Sequence, residues 1–266
     1  MASGNKKRAE QKTVFYGDEL NDEFSTAQIE AKRIDGSWKY LRNPVLSFFW
    51  YRMVATPIAF FYTKIKYRHK IVGREKLKGY RKQGYFVYGN HTQILGDPLI
   101  PTFVCFPKDA YIIVHPNNVS MPYLGRVTPY MGGIPLPDDM AAIRNFSAAI
   151  DKRIQQGKAV FIYPEAHIWP YYTKIRPFGD MSFSYPVKHA TPTFCFTNTY
   201  QKKGKRAHPQ IVTYIDGPFF PDDTLPSRQR RKKLRDEVYF AMCERAKSSN
   251  VEWIRYIPIE EKEETE

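Results

Sequence analysis

Residues 89–98 read GNHTQILGDP, which places His91 and Asp97 six positions apart between a Gly and a Pro. An imidazole with a carboxylate on Nδ1 is a general base, because the carboxylate selects the tautomer and stabilises the imidazolium that forms. The same residues also fit a plainer reading, a strand end followed by a helix with Asp97 at its cap and Pro98 at its first position. A second stretch, AVFIYPEAHIWP at 159–170, runs a buried strand into a turn carrying Glu165 and His167. A Pro-Glu at a strand end can present backbone N–H groups and a carboxylate to a cleft, or can simply end the strand. A third, YMGGIPLPDD, contains Gly132 and Gly133, which either let backbone approach a ligand closely or form a turn.

These residues need elements to hold them. YFVYGN reads as a strand ending at Gly89, and DPLIPTFV as the helix that follows. AYIIV, AVFIYP, TPTFCFT and QIVTYIDGPF read as further strands. DDMAAIRNFSAAIDKRIQQG predicts a helix with an apolar stripe of Ile143, Phe146, Ile150 and Ile154, opened by aspartates and closed by Gly157. SRQRRKKLRDEVYFAMCERAKSS predicts another, with Leu234, Val238 and Met242 inward and Arg228, Arg230, Arg231, Lys232, Lys233 and Arg235 outward. Strands alternating with helices imply an α/β fold, a mainly parallel central sheet covered by helices.

Ahead of that region lies NPVLSFFWYRMVATPIAFFYTKIKYRHK, starting at Asn43. Pro44 to Thr63 carries one charge, Arg52, and one internal proline, Pro57. Its length matches the roughly 20 apolar residues that cross a bilayer. Against a span stand Arg52, worth about 2.5–3.5 kcal/mol at a bilayer centre, and aromatics along the whole stretch, which suit an interface. The preferred reading is an in-plane helical pair kinked at Pro57. The basic run Lys64, Lys66, Arg68, Lys70, Arg74, Lys76, Lys78, Arg81 and Lys82 follows, a second attractive signal toward anionic lipid.

The division expected is a polar, loose N-terminal segment (1–40) with a short helix near FSTAQIEAKRI, a membrane-associating segment (41–82), an α/β domain (83–255) and a frayed acidic tail (256–266). The 266 residues carry a formal charge of +14, which calls for nucleic acid, an anionic membrane or a phosphorylated substrate as partner. No zinc-finger, helix-turn-helix or RNP-type signature accompanies the charge, so nucleic acid is not expected. The six histidines are scattered without metal-ligand spacing, so no metal is expected either. Cys105, Cys195 and Cys243 lack CxxC pairing and read as free thiols of a reducing compartment. The N-terminus MASGNKKRAEQK lacks the apolar run of a signal peptide.

Taken in order, the His/Asp loop, the Gly-led strand, the long helix, the strand ending in Pro-Glu and a later Pro-containing strand resemble the glycerolipid acyltransferases, the 1-acylglycerol-3-phosphate acyltransferase family. The resemblance spans about residues 65–217. Asn90–His91 matches the family's Asn-His-x4-Asp, Gly132 or Gly133 its second motif, Tyr163–Pro164–Glu165 its Phe-Pro-Glu-Gly-Thr-Arg, and Pro192 the last. Here five residues separate His91 from Asp97 where the family has four, and Gly96 offers a place to absorb the extra one. The family's second-motif Arg falls at Pro137 or Asp138, and its Gly-Thr-Arg positions hold Ala166, His167 and Ile168.

The resemblance implies acyl transfer from a thioester, on coenzyme A or acyl carrier protein, to the hydroxyl of a lysophospholipid or glycerol-phosphate-like acceptor in phospholipid synthesis. His91 would act as base and Asp97 would orient it. N–H groups near Glu165–Ala166 would hold the oxyanion, and Glu165 and Gly133 would line the substrate site. Among Arg126, Arg144, Lys174, Arg176 and Lys188, Lys174 and Arg176 best replace the missing phosphate-binding arginines. No cofactor is expected beyond the acyl thioester co-substrate, and the location expected is the cytoplasmic face of the cell membrane. A non-catalytic membrane-binding protein of the same fold and a thioesterase are the alternatives.

Overall fold

Short apolar runs become buried strands because each must cover both faces of its backbone with side chains. The computed structural model describes residues 12–24, 29–204 and 208–260. A seven-stranded sheet contains β2 (Lys70–Val72), β3 (Tyr85–Gly89), β4 (Ala110–Val114), β5 (Gly133–Pro135), β6 (Ala159–Ile162), β7 (Thr193–Gln201) and β8 (Gln210–Phe219) in the order β2-β8-β7-β3-β6-β4-β5. All neighbours run parallel except β7 and β8. β3 lies at the centre and every one of its residues is buried. Gly89 at its end is required by close approach, since a Cβ there would lie 2.2 Å from the Phe196 ring on β7. A separate parallel pair joins β1 (Lys12–Tyr16) to β9 (Ile254–Pro258).

Helix Met140–Gln155 covers one face, capped by Asp139, whose side chain accepts the Ala142 N–H. Its buried row is Ala142, Phe146, Ala149, Ile150 and Ile154, while Ile143 is exposed. The stripe therefore sits one step away from the expected one, with alanines letting the helix approach the sheet. Helix Ser227–Ala246 buries Leu234, Val238 and Met242 as expected. Several of its cations are paired, Arg230 with Asp223, Arg231 with Asp180 and Lys233 with Asp222.

Three expectations are corrected. The stretch near FSTAQIEAKRI is not helical over residues 29–34, and 25–28 lie outside the described residues. The ends of the chain are not both loose, because residues 12–16 and 254–258 pair with one another. The tail beyond residue 260 lies outside the described residues. Residues 70–80, grouped by sequence with the membrane-associating segment, give the α/β sheet its edge strand β2 and a 3-10 helix.

Pro44–Lys66 forms one continuous helix of 23 residues, long and apolar enough to cross a membrane by length and composition. No break occurs at Pro57. Instead α-turns alternate with wider π-turns at Phe49–Ala55 and Phe61–Lys66. A four-residue step overshoots an α-turn of about 3.6 residues and undershoots a π-turn. Mixing the two keeps Tyr51, Ala55, Ala59 and Thr63 on one line, and that line is buried against the domain. Tyr51 Oη accepts the Ala110 N–H at 2.7 Å and lies 3.3 Å from Thr102 Oγ1. Arg52 pairs with Asp109 at 2.5 Å and donates to the Pro107 carbonyl. Phe60 packs edge-on against Phe103 and Phe106. Val45, Leu46, Phe48, Phe49, Met53, Ile58, Phe61 and Ile65 point away from the domain and are exposed.

If the helix is docked, Tyr51→Phe strands the buried Ala110 N–H. We expect a loss of about 1–3 kcal/mol in urea unfolding. Unchanged stability would show that this helix does not rest on the domain.

Candidate active site

β3 ends at Gly89, and the chain leaves the sheet in the loop that carries His91. Asn90 anchors the exit by two bonds to β7, its amide donating to the Asn198 carbonyl at 3.0 Å and accepting the Asn198 N–H at 2.8 Å. His91 Nδ1 lies 2.7 Å from Asp97 Oδ2, so the five intervening residues do not keep the pair apart. The extra length is absorbed in a tight turn, with the Asp97 N–H donating to the Gln93 carbonyl and Gly96 folded over Gln93. Ile94 and Leu95 are pushed to the surface, 52% and 57% exposed beside the imidazole.

Asp97 is not a helix cap. The next helix begins at Ile100, and the carboxylate turns backward instead, accepting the Gln93 N–H at 2.9 Å as well as His91. Its side chain keeps 1% of its surface while that of His91 keeps 17%. Burial raises the Asp97 pKa, and the hydrogen bond and charge of His91 oppose that shift. With the carboxylate accepting at Nδ1, the lone pair lies on Nε2, which has no protein partner among the described residues. Tyr163, the last residue before Pro164, stacks on the imidazole at 4.4 Å and donates its hydroxyl to the Asp97 carbonyl at 2.6 Å. One ring therefore braces both members of the pair.

Glu165 and Arg176 are brought to the site, but both are buried. Glu165 Oε2 accepts the His91 N–H at 3.0 Å, and Oε1 accepts the Arg176 N–H at 3.1 Å. The Arg176 guanidinium, 1% exposed, lies 3.6 Å from the carboxylate. It also donates to the carbonyls of Glu19, Glu165 and His167 and lies over the Trp169 ring. Burial pushes the Glu165 carboxyl up, opposed mainly by the Arg176 charge. Burial lowers the Arg176 pKa, opposed by Glu165. The expectation that Arg176 binds an acceptor phosphate is thus corrected: it is the buried counter-ion of Glu165 and splints the turn after β6. Glu165 in turn ties that turn to the backbone of His91.

The oxyanion expectation also changes. The Ala166 N–H donates to the Tyr163 carbonyl and that of His167 to the Glu165 carbonyl. Of Glu165 and Ala166, only the Glu165 N–H has no protein acceptor among the described residues. Ala166 takes φ +63°, where an L side chain costs about 1–2 kcal/mol. Gly133 lies three strands from β3, beyond β6 and β4, and its missing Cβ accommodates the Thr128 methyl, which would lie at 2.6 Å. That close contact is a packing requirement. Lys174 is exposed near the Glu165 turn, as are Arg126 and Arg144 on other elements, and Lys188 pairs with Asp151. Asp138, one of the two positions aligned with the family's second-motif Arg, accepts the Ile34 N–H. Among the described residues no group of side chains could hold a metal ion.

Sequence reasoning named Asn90 and Tyr163 as motif positions without a role, and passed over Asn198 and Tyr200. Period two along β7 is the signal that finds the last two: Phe196, Asn198 and Tyr200 share the face beneath the His91–Asp97 loop. Tyr200 Oη receives the Gln93 amide at 2.7 Å and donates to Thr92 Oγ1 at 2.8 Å.

The chain shares its fold with a lipid acyltransferase. It superposes on the 1-acyl-sn-glycerophosphate acyltransferase PlsC from Thermotoga maritima with a TM-score of 0.54 and 20% identity, over 75% of this chain and 82% of that one. No family model and no curated protein sequence matches it. The likeness is one of fold.

Removing Arg176 leaves Glu165 buried without its cation. Arg176→Met should destabilise by about 3–5 kcal/mol at neutral pH. The native Glu165 pKa would rise further above the unfolded value of about 4.3. The native state then holds a proton that the unfolded chain has released, so stability falls as pH rises through that window. Urea unfolding at pH 5 and pH 8 should show the larger loss at pH 8. Equal, small losses at both would contradict the pairing.

Proposed function

We propose that the protein transfers an acyl group from a thioester, on coenzyme A or acyl carrier protein, to the hydroxyl of a lysophospholipid-type acceptor at a membrane surface. The observation that carries this reading is the His91–Asp97 pair: a fully buried carboxylate on Nδ1, a half-buried ring, and an Nε2 free to take a proton. The fold shared with a lipid acyltransferase supports it.

In this reading Nε2 removes the acceptor hydroxyl proton as the oxygen attacks the thioester carbonyl. The imidazolium that forms is stabilised by Asp97. Collapse of the tetrahedral intermediate expels the thiolate, which takes the proton from His91 and leaves as the thiol. The carbon–sulfur bond breaks, an ester bond forms, and His91 returns to its neutral form. The Glu165 N–H, which has no protein acceptor among the described residues, takes the role of oxyanion donor in this reading. With Arg176 committed to Glu165, acceptor charge falls to exposed cations such as Lys174.

The exposed row Val45 to Ile65 supports a helix lying in the interface plane. Its opposite face rests on the domain from Tyr51 to Thr63, about 18 Å at 1.5 Å per residue. Lipid cannot surround a helix held in that way. The exposed cations Lys64, Lys66, Arg68, Lys70, Lys78, Arg81 and Lys82 beside it favour an anionic surface. The cytoplasmic face is the one the charge fits. Ile94 and Leu95 extend apolar surface to the edge of the dyad, where an acyl chain or acceptor lipid arrives.

His91→Ala should lower acyl transfer about 10²- to 10⁴-fold while leaving vesicle binding intact. Transfer at the wild-type rate in that variant would remove His91 from the chemistry.

A further inference from the structure

Behind the dyad runs a buried line of polar side chains that the reaction as described does not use. His69, just ahead of β2, is 6% exposed, and its Nε2 meets Thr213 Oγ1 on β8 at 2.5 Å. Thr213 Oγ1 donates to Asn198 Oδ1 on β7 at 2.6 Å. Asn198 Nδ2 lies 3.4 Å from Asp97 Oδ1, the oxygen that His91 does not use. Thr213 and Asn198 are 0% and 1% exposed, and the sheet sets them directly opposite each other. Four strands thus converge on one carboxylate: β2 through His69, β8, β7, and β3 through its loop.

The direction of every bond follows from the carboxylate end. An ionised Asp97 only accepts, so Asn198 presents Nδ2 to it and turns Oδ1 away. Oδ1 only accepts, so the single Thr213 hydroxyl proton points to it. That leaves Thr213 as acceptor toward His69, whose Nε2 must carry the proton. Burial lowers the His69 pKa to about 3, so the ring is neutral and the chain brings no charge of its own. All three donors point the same way, toward Asp97, and each polarises the next. The Asn198 backbone cannot drift, because Asn90 grips both its N–H and its carbonyl. His69 is itself held by the membrane-facing helix, donating its N–H to the Thr63 carbonyl at 2.8 Å.

We propose that His69, Thr213 and Asn198 form a relay of positioning residues that keeps the Asp97 carboxylate ionised and aimed at His91. The inference rests on the acyl-transfer reading for its kinetic consequence, but not for its electrostatic one. The other groups facing Asp97 are His91 and Tyr163 above it, Tyr200 beneath the loop and Tyr62 from the N-terminal helix, with Glu165 and its partner Arg176 behind His91. Among the described residues, Asn198 is the only neutral side chain outside the dyad that donates to this carboxylate.

Thr213 tests the relay because it touches neither His91 nor Asp97. Thr213→Val keeps the shape and removes the hydroxyl, while Thr213→Ser keeps the hydroxyl. In Thr213→Val, kcat should fall about tenfold with KM unchanged. The acid limb of its pH–rate profile should move to higher pH, since Asn198 without Thr213 is a weaker, less well aimed donor and the carboxylate then holds a proton more tightly. Thr213→Ser should restore both. Thr213→Val with the wild-type kcat and profile would overturn the relay and leave the acyl-transfer reading standing.

If wild type transfers no acyl group to any acceptor, that reading falls, and the relay is judged by the Asp97 carboxyl titration in ¹³C NMR. The midpoint should be higher in Thr213→Val than in Thr213→Ser, and coincident midpoints would overturn the relay. Should Thr213→Val not fold, Thr213→Ala carries the same expectations in both measurements.

Discussion

Burial pushes a carboxylate with 1% of its surface exposed toward its neutral form, and only hydrogen bonds that replace the lost water oppose that push; Asp97 is such a group. Most of what surrounds it follows from that requirement. The turn from Gln93 to Asp97 winds tightly so that the Gln93 N–H reaches the carboxylate. Tyr163, directly after β6, sets a hydroxyl on the Asp97 carbonyl and a ring against His91. Asn90 leaves β3 tied to β7, and that tie fixes Asn198 beside the remaining oxygen. Placing the pair beyond the carboxyl ends of parallel strands gives it both an opening and a rigid base.

The second buried charge pair has a different task. Glu165 and Arg176 do not meet solvent, yet they join the turn after β6 to the backbone of His91 and to the Glu19 carbonyl near the N-terminal strand. A turn with Ala166 in the left-handed region needs such support. Using Arg176 in this way removes it from substrate recognition. In the proposed chemistry the acceptor headgroup then meets only exposed cations, while the apolar Ile94–Leu95 edge and the docked helix present lipid to the base.

Much of the fold was legible because burial of parallel strands forces continuous apolar runs. β3, β4 and β8 begin and end as read, from Tyr85, Ala110 and Gln210, and β6 begins at Ala159 but ends at Ile162, two residues short of AVFIYP. β1 and β9 were not legible: each is a mixed polar stretch, and the partner of Lys12 is Ile254, at the other end of the chain. The helix Pro44–Lys66 was visible as apolar length. That one side rests on the domain depends on Tyr51, Arg52 and Ala110, whose partnership spans over fifty residues.

The dyad was legible as His91 and Asp97, but its support was not. Asp97 before a proline reads as a cap, since only three-dimensional context shows a carboxylate turning back on its own loop. Arg176 in YYTKIRPFGD reads as an exposed cation open to an acceptor phosphate because a charged residue is presumed wet. Asn198 and Thr213 sit within ordinary strand sequences, and their meaning arises when β7 and β8 are laid side by side.

The central claim, that this pair moves an acyl group onto a lipid hydroxyl, is most directly tested by product balance. Wild-type protein is incubated on anionic vesicles with a labelled acyl thioester and a mixed lysophospholipid fraction, and free thiol and labelled products are quantified together. The account predicts one acylated lipid formed per thiol released, and no thiol release when the acceptor is omitted. Thiol released with free fatty acid as the only labelled product, or no release at all, would contradict it.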